Sequence, residues 1–214
     1  LTCYLEPATG FDLSILSESK KDNYIKIQLD DDLKELGSEG YVLDVNENRI
    51  LISAFKPAGL FWAFQTLRQL LPADILRDAT TQNVQWRIPC VRIQDSPRFE
   101  WRGLMIDCSR TFWSKEVIKR YIDVMAFYKM NVLHMHLTDD QGWRLEIEKY
   151  PELTQMAALF HPEYKEPKER EGFYSQQDIK ELVAYAADRN ITIVPEIEMP
   201  GHSAEVFAAY PQLS

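Results

Sequence analysis

The stretch Val132-Leu-His-Met-His-Leu-Thr138, followed at once by Asp139-Asp140, decides how the second half of the chain is built. Leu133, Met135 and Leu137 alternate with His134, His136 and Thr138, so a strand here puts apolar side chains on one face and polar ones on the other. No Lys, Arg, Asp or Glu interrupts it before Asp139, which marks a strand covered on both sides, as in a parallel sheet under helices. Working outward, Gly103 to Cys108 reads as a strand, and Ser114 caps a helix running to about Tyr128. Downstream, Ser175-Gln-Gln-Asp178 has capping-box form and opens a helix carrying Ile179, Leu182, Val183 and Ala186, with Asn190 at its end. Ile191 to Glu198 is the next strand. Strand, helix, strand, helix, strand is the rhythm of an α/β fold with a parallel sheet. A polar strand face suits a barrel lumen near its mouth, where the loops leaving the C-terminal strand ends converge.

The first hundred residues have a different rhythm. Leu1 to Ala8 reads as the end of a helix closed by Gly10, and Tyr24 to Leu29 alternates with a period of two. Tyr41 to Val45 and Arg49 to Ser53, joined by Asn46-Glu-Asn48, form an expected hairpin. Pro57 opens a helix with Leu60, Ala63, Phe64, Leu67, Leu70 and Leu71 on one face, ended by Pro72. The expectation is a small α/β domain with one covered sheet face. Gln94-Asp-Ser-Pro-Arg98 breaks the periodicity and sets the boundary, giving domains over 1–96 and 97–214.

Composition narrows the function classes. The chain has 214 residues, 45% of them hydrophobic, enough for a sizeable core. A formal charge of -9 offers no basic stripe for a phosphate backbone, so no nucleic-acid partner is expected. No apolar run approaches the roughly 20 residues of a membrane helix. Three cysteines, Cys3, Cys90 and Cys108, suit neither a disulfide framework nor zinc-type spacing.

The chemistry-bearing residues cluster just past the strand ends. Asp139 and Asp140 read either as a solvated turn or, given the buried strand before them and Trp143 after them, as part of a site. His202 follows Pro200-Gly201 beyond the third strand, where Asp139 can meet it across the mouth and hold its imidazole in one tautomer. Arg110, just beyond the first strand, can donate paired hydrogen bonds to vicinal hydroxyls or anchor Glu196 or Glu198. His134 and His136 read as hydrogen-bonded core residues, with an H-x-H metal pair as the alternative. His161 falls in a polar, proline-containing loop, so a three-histidine site is hard to assemble. Trp101, Trp113 and Trp143 suggest either sugar-ring stacking or packing.

Three blocks carry a resemblance: Trp101-Arg-Gly-Leu-Met-Ile-Asp-Cys-Ser-Arg110, Lys129 to Trp143, and Ile193-Val-Pro-Glu-Ile-Glu-Met-Pro-Gly-His202. In this order and spacing they resemble the family 20 glycoside hydrolases, the β-N-acetylhexosaminidases. Upstream, Gly37 to Val42 and Pro57 to Pro72 resemble the accessory α/β domain that precedes the barrel in that family. The resemblance implies an accessory domain followed by the first three βα units of a TIM (β/α)8 barrel. It also implies hydrolysis of terminal non-reducing N-acetyl-D-hexosamine from a glycan or chitooligosaccharide, with no cofactor and no metal, by an exported protein. Arg110 would then bind the sugar's 3- and 4-hydroxyls, Glu198 would belong to the substrate site, and Asp139 and His202 would form the dyad supporting the general acid.

In that mechanism the 2-acetamido carbonyl oxygen attacks the anomeric carbon, and water opens the resulting oxazolinium ion with net retention. The family's acid is a Glu preceded by an Asp at the end of the fourth strand. The order Asp-Glu does not occur in these 214 residues. The expectation is therefore a fragment of a longer hydrolase, starting inside a helix of the accessory domain and inactive by itself. Order in its second half would require the missing strands, from the remainder of the same chain or from a homo-oligomeric partner along Ile191 to Glu198. Alternatives are a non-catalytic carbohydrate-binding fragment and a metal-dependent barrel hydrolase.

Overall fold

The computed structural model describes residues 2–16, 22–160 and 167–213. His161 lies outside the described residues. The chain forms two compact units, 1–100 and 101–214.

The first unit opens with α1 (Thr2–Thr9), closed by Gly10 at φ 68, a left-handed position suited to glycine. Its sheet contains β1 (Tyr24–Leu29), β2 (Tyr41–Val45), β3 (Arg49–Ala54) and β4 (Val91–Asp95), in the order β1-β3-β2-β4. β2 and β3 form the expected antiparallel hairpin, and β1 runs parallel to β3. β4, which the sequence reading did not single out, pairs antiparallel with β2 and ends at Asp95. α2 (Pro57–Leu70) covers one sheet face. Its most buried stripe differs from the one expected, running through Gly59, Trp62, Ala63, Thr66 and Leu67 with Leu60 and Phe64 flanking it. The reason is Gly59: a Cβ there would lie 2.2 Å from the Gly40 carbonyl oxygen, so the bare glycine lets this face approach the sheet. Leu43, Ile52 and Leu67 are fully buried between the layers, at about 1.5–3 kcal/mol each. Tyr41 stitches them, its hydroxyl donating to Asp95 Oδ2 at 2.9 Å and meeting Thr66 Oγ1 at 2.7 Å.

In the second unit β5 (Gly103–Asp107), α3 (Lys115–Phe127), β6 (Val132–His136), α5 (Gln176–Ala187) and β9 (Thr192–Glu196) alternate, with the strands parallel in the order β5-β6-β9. Between β6 and α5 lie the short pair β7 (Thr138–Asp139) and β8 (Gly142–Trp143) and the single turn α4 (Glu152–Gln155), none of which was expected. β6 therefore stops at His136, two residues early, because Thr138 turns to pair with Trp143. Leu133 and Met135 are wholly buried, as are Ile118, Ile122 and Met125 of α3 and Leu182 and Ala186 of α5. Ser175 and Asp178 make the reciprocal capping box that starts α5. On β6 the opposite face holds His134 and His136, and the strand register puts Asp107, His136 and Glu196 side by side in its last row. α6 (Ala204–Ala209) follows β9 and packs with Trp143, Leu153 and Ala157 through Val206 and Ala209.

Candidate active site

The row Asp107, His136, Glu196 forms the floor of a polar cluster, and the segments just past each strand supply its walls. After β5 the chain curls back so that Asp107 Oδ1 accepts the amides of Ser109 and Arg110 at 3.0 and 2.9 Å. The same carboxylate's Oδ2 pairs with Arg110 Nη1 at 2.6 Å, and Arg110 Nη2 reaches Asp139 Oδ2. Arg110 thus anchors Asp107 and Asp139 and not Glu196 or Glu198, the carboxylates considered from sequence. Its guanidinium is half exposed, leaving donor surface at the mouth. The Asp107 hydrogen bond, with neighbouring carboxylates, raises its pKa above the ordinary arginine value.

Asp139 is the hub. Its carboxylate is almost wholly buried and receives His136 Nε2 at 2.9 Å, His202 Nδ1 at 2.9 Å and the Asp140 amide at 2.8 Å, besides Arg110. Burial works to raise its pKa, but the His136, Asp140 and His202 hydrogen bonds and the Arg110 charge prevail and hold it below the usual range. A carboxylate oxygen only accepts, so Nδ1 of His202 carries a proton. His202 sits at φ 50, the left-handed region, in the loop between β9 and α6. Asp140 secures that segment by accepting the Ala204 amide at 3.1 Å.

Glu198 lies beside this hub. Its amide donates to Thr138 Oγ1 at 2.9 Å, and its carboxyl is raised by the hydrogen bond it shares with Glu196, while Glu196 is held low. His134 Nε2 and His136 Nδ1 both meet Glu196 Oε2, at 2.6 and 3.0 Å. This bears on the metal alternative: a protein oxygen stands where the two rings converge. His136, Glu196 and Glu198 bring donor atoms within 4.8 Å of one another, as do Asp139, Asp140 and His202. In both groups the donors are already engaged with each other, with Arg110 or with backbone amides, which suits a hydrogen-bonded acid–base cluster better than an ion's ligand set.

Two side chains support the site without having been singled out from sequence. Arg144 is fully buried and donates to the carbonyls of Ser109 (2.8 Å), Ala158 (2.5 Å) and Gly172 (3.0 Å), fastening the Arg110 loop to the β6–α5 excursion. Glu205 on α6 is buried, and neither carboxyl oxygen hydrogen-bonds another residue among those described. Burial pushes its pKa up to about 7, and the Asp140 and Asp139 charges add to the rise. No motif marks either one; the Trp-Arg step at 143–144 is the only sequence hint for Arg144. The three tryptophans part ways. Trp143 is buried in the α6 cluster, which makes it core, whereas Trp113 is partly exposed with its indole N–H on the Asp107 carbonyl, and Trp101 is exposed. Cys3 and Cys90 are exposed, Cys108 is buried, and all three are free.

Comparison with known proteins fits this cluster to a family. The model of the glycosyl hydrolase family 20 catalytic domain matches residues 99–214, and that of the family's domain 2 matches residues 1–96. The chain belongs to glycosyl hydrolase family 20. It is 42% identical over 206 residues to a β-hexosaminidase of Porphyromonas gingivalis, covering 95% of this chain and 26% of that protein. It is 40% identical over 184 residues to an N,N'-diacetylchitobiase of Vibrio harveyi, covering 79% of this chain and 20% of that protein. The solved GH20 β-N-acetylhexosaminidase of Streptomyces coelicolor A3(2) superposes with TM-score 0.88 at 40% identity, over all of this chain and 41% of that one. The chain thus spans about a quarter of the first relative and two-fifths of the solved structure. In family 20 terms it comprises α/β domain 2 and the first three βα units of the catalytic TIM barrel. No helix among the described residues is long and apolar enough to cross a membrane.

Proposed function

We propose that the protein is a β-N-acetylhexosaminidase that removes terminal non-reducing N-acetylglucosamine or N-acetylgalactosamine from glycans or chitooligosaccharides, by a substrate-assisted, retaining mechanism. In this reading residues 1–96 are the accessory domain and 97–214 the opening part of the barrel. The observation that carries it is the convergence of Arg110 and His202, each from a different strand end, on the buried carboxylate of Asp139 at a third. Arg110 keeps a half-exposed fork of N–H donors that matches vicinal hydroxyls. Asp139 accepts a hydrogen bond from His202 Nδ1–H, leaving Nε2 to face a group at the mouth, the place of the general acid. Glu198, whose carboxyl is raised by its hydrogen bond to Glu196, offers oxygen acceptors to a sugar hydroxyl.

The order Asp-Glu expected of the general acid and its partner does not occur in these 214 residues, so the reading concerns a protein of the relatives' full length. Its test is hydrolysis of an aryl N-acetyl-β-glucosaminide by the full-length protein, with the first-formed anomer read by NMR. Retention, and a rate that falls as fluorine is introduced into the acetamido methyl, are expected, because fluorine weakens the internal nucleophile. Inversion, or indifference to fluorination, would overturn the mechanism; absence of hydrolysis would overturn the activity.

A further inference from the structure

His136 occupies a position that neither Arg110 nor His202 explains. Its ring is buried, with Nε2 at 2.9 Å from Asp139 Oδ2 and Nδ1 at 3.0 Å from Glu196 Oε2. A neutral imidazole has one N–H and one lone pair, and a carboxylate oxygen has only lone pairs to offer. Between two carboxylates the neutral ring therefore leaves one lone pair facing another, whereas the imidazolium satisfies both. Burial opposes the charge, yet the Asp139 and Glu196 hydrogen bonds outweigh it and raise the His136 pKa. The carboxylates around it favour the cation in the same way. Asp107 lies beside it on β5 and Glu196 on β9, Glu198 is hydrogen-bonded to Glu196, and His134 shares Glu196 Oε2. Arg110 Nη2 shares Asp139 Oδ2 with His136 and is a cation set against its charge, while His202 reaches Asp139 Oδ1, its ring lying 6.4 Å from that of His136.

We propose that His136 is a positioning residue for the Asp139–His202 pair, a buried imidazolium that spans Asp139 and Glu196, keeps Asp139 ionised and so fixes His202 as the Nδ1–H tautomer. Its relevance to catalysis rests on the hexosaminidase reading; its protonation state does not.

The experiment is 15N NMR of the histidine rings in the full-length protein, wild type and His136→Gln, followed from pH 5 to 9 beside the kinetics of hydrolysis. In the wild type both His136 nitrogens should have imidazolium shifts at pH 7, and His202 should have its proton on Nδ1. In His136→Gln, which keeps one donor and removes the charge, the His202 ring should lose its fixed Nδ1–H tautomer, and kcat should fall by about tenfold or more while KM stays within about twofold. A neutral His136 ring at pH 7 in the wild type overturns the proposal, and that spectrum needs no variant to fold. A His202 ring that keeps the Nδ1–H tautomer with kcat unchanged in a folded variant overturns it as well. A wild type that shows the expected ring states but hydrolyses no hexosaminide overturns the activity reading and leaves the positioning role standing.

Discussion

Asp139 Oδ1 lies 2.9 Å from His202 Nδ1, though 63 positions separate the two residues in sequence. The contact exists because β6 and β9 are neighbours in register, so the segments leaving them emerge side by side. Residues that share one proton in this way act as a unit. In the full-length enzyme Asp139→Asn and His202→Ala should each lower kcat/KM strongly, and the double variant should lose little more than the worse single one. Losses that simply add would show the two acting separately.

Arg110→Ala should lower kcat/KM on an aryl N-acetyl-β-glucosaminide by an amount equivalent to about 2–5 kcal/mol, the scale for truncating one partner of a charged hydrogen-bond network. Arg110→Lys keeps the charge but not the fork and should recover only a small part. Kinetics like the wild type would take Arg110 out of the sugar site.

Arg144→Met should destabilise the second unit by about 3–5 kcal/mol, since it leaves the Ser109, Ala158 and Gly172 carbonyls buried without their donor. Denaturant unfolding measures this directly. A change below about 1 kcal/mol would mean that water replaces the guanidinium.

Glu205 gives a pH signature. Its carboxyl is raised to about 7 in the fold, so between its unfolded value and pH 7 the native state holds a proton that the unfolded chain does not. Stability from this group is therefore greatest at low pH and falls as pH rises through about 7, by on the order of 3 kcal/mol in all. Glu205→Gln should flatten that fall and raise the melting temperature at pH 8. A variant less stable than wild type at pH 8 would mean that the carboxylate has a partner when ionised.

The strands of the second unit are legible because Leu133, Met135 and Leu137 leave no choice of face, and the capping box at Ser175 states its helix start outright. β4 is not, since Val91-Arg-Ile-Gln-Asp95 is a half-exposed edge strand of five residues with only two apolar ones, and its partner, β2, is remote in sequence. β7 and β8 have two residues each, too few for any period to be seen. Within the site, Asp139, His202 and Arg110 stand out because each follows a strand end. The bridging role of His136 depends on the strand register that sets it beside Glu196, and the burial of Glu205 depends on where a six-residue helix packs. Both are products of non-local packing, which leaves no local pattern.

The pairing of β2 with β4 joins Tyr41 to Asp95 across the whole of α2. During synthesis the β2–β3 hairpin and α2 can form from local contacts as soon as they leave the ribosome, whereas the other edge of β2 has no mate until residue 95 emerges. For that interval the nascent chain presents Tyr41 to Val45 as an open template for strand addition. The first unit therefore completes its sheet only when translation has reached the threshold of the second, and a pause before Asp95 would prolong the period in which the growing polypeptide can pair with the wrong neighbour.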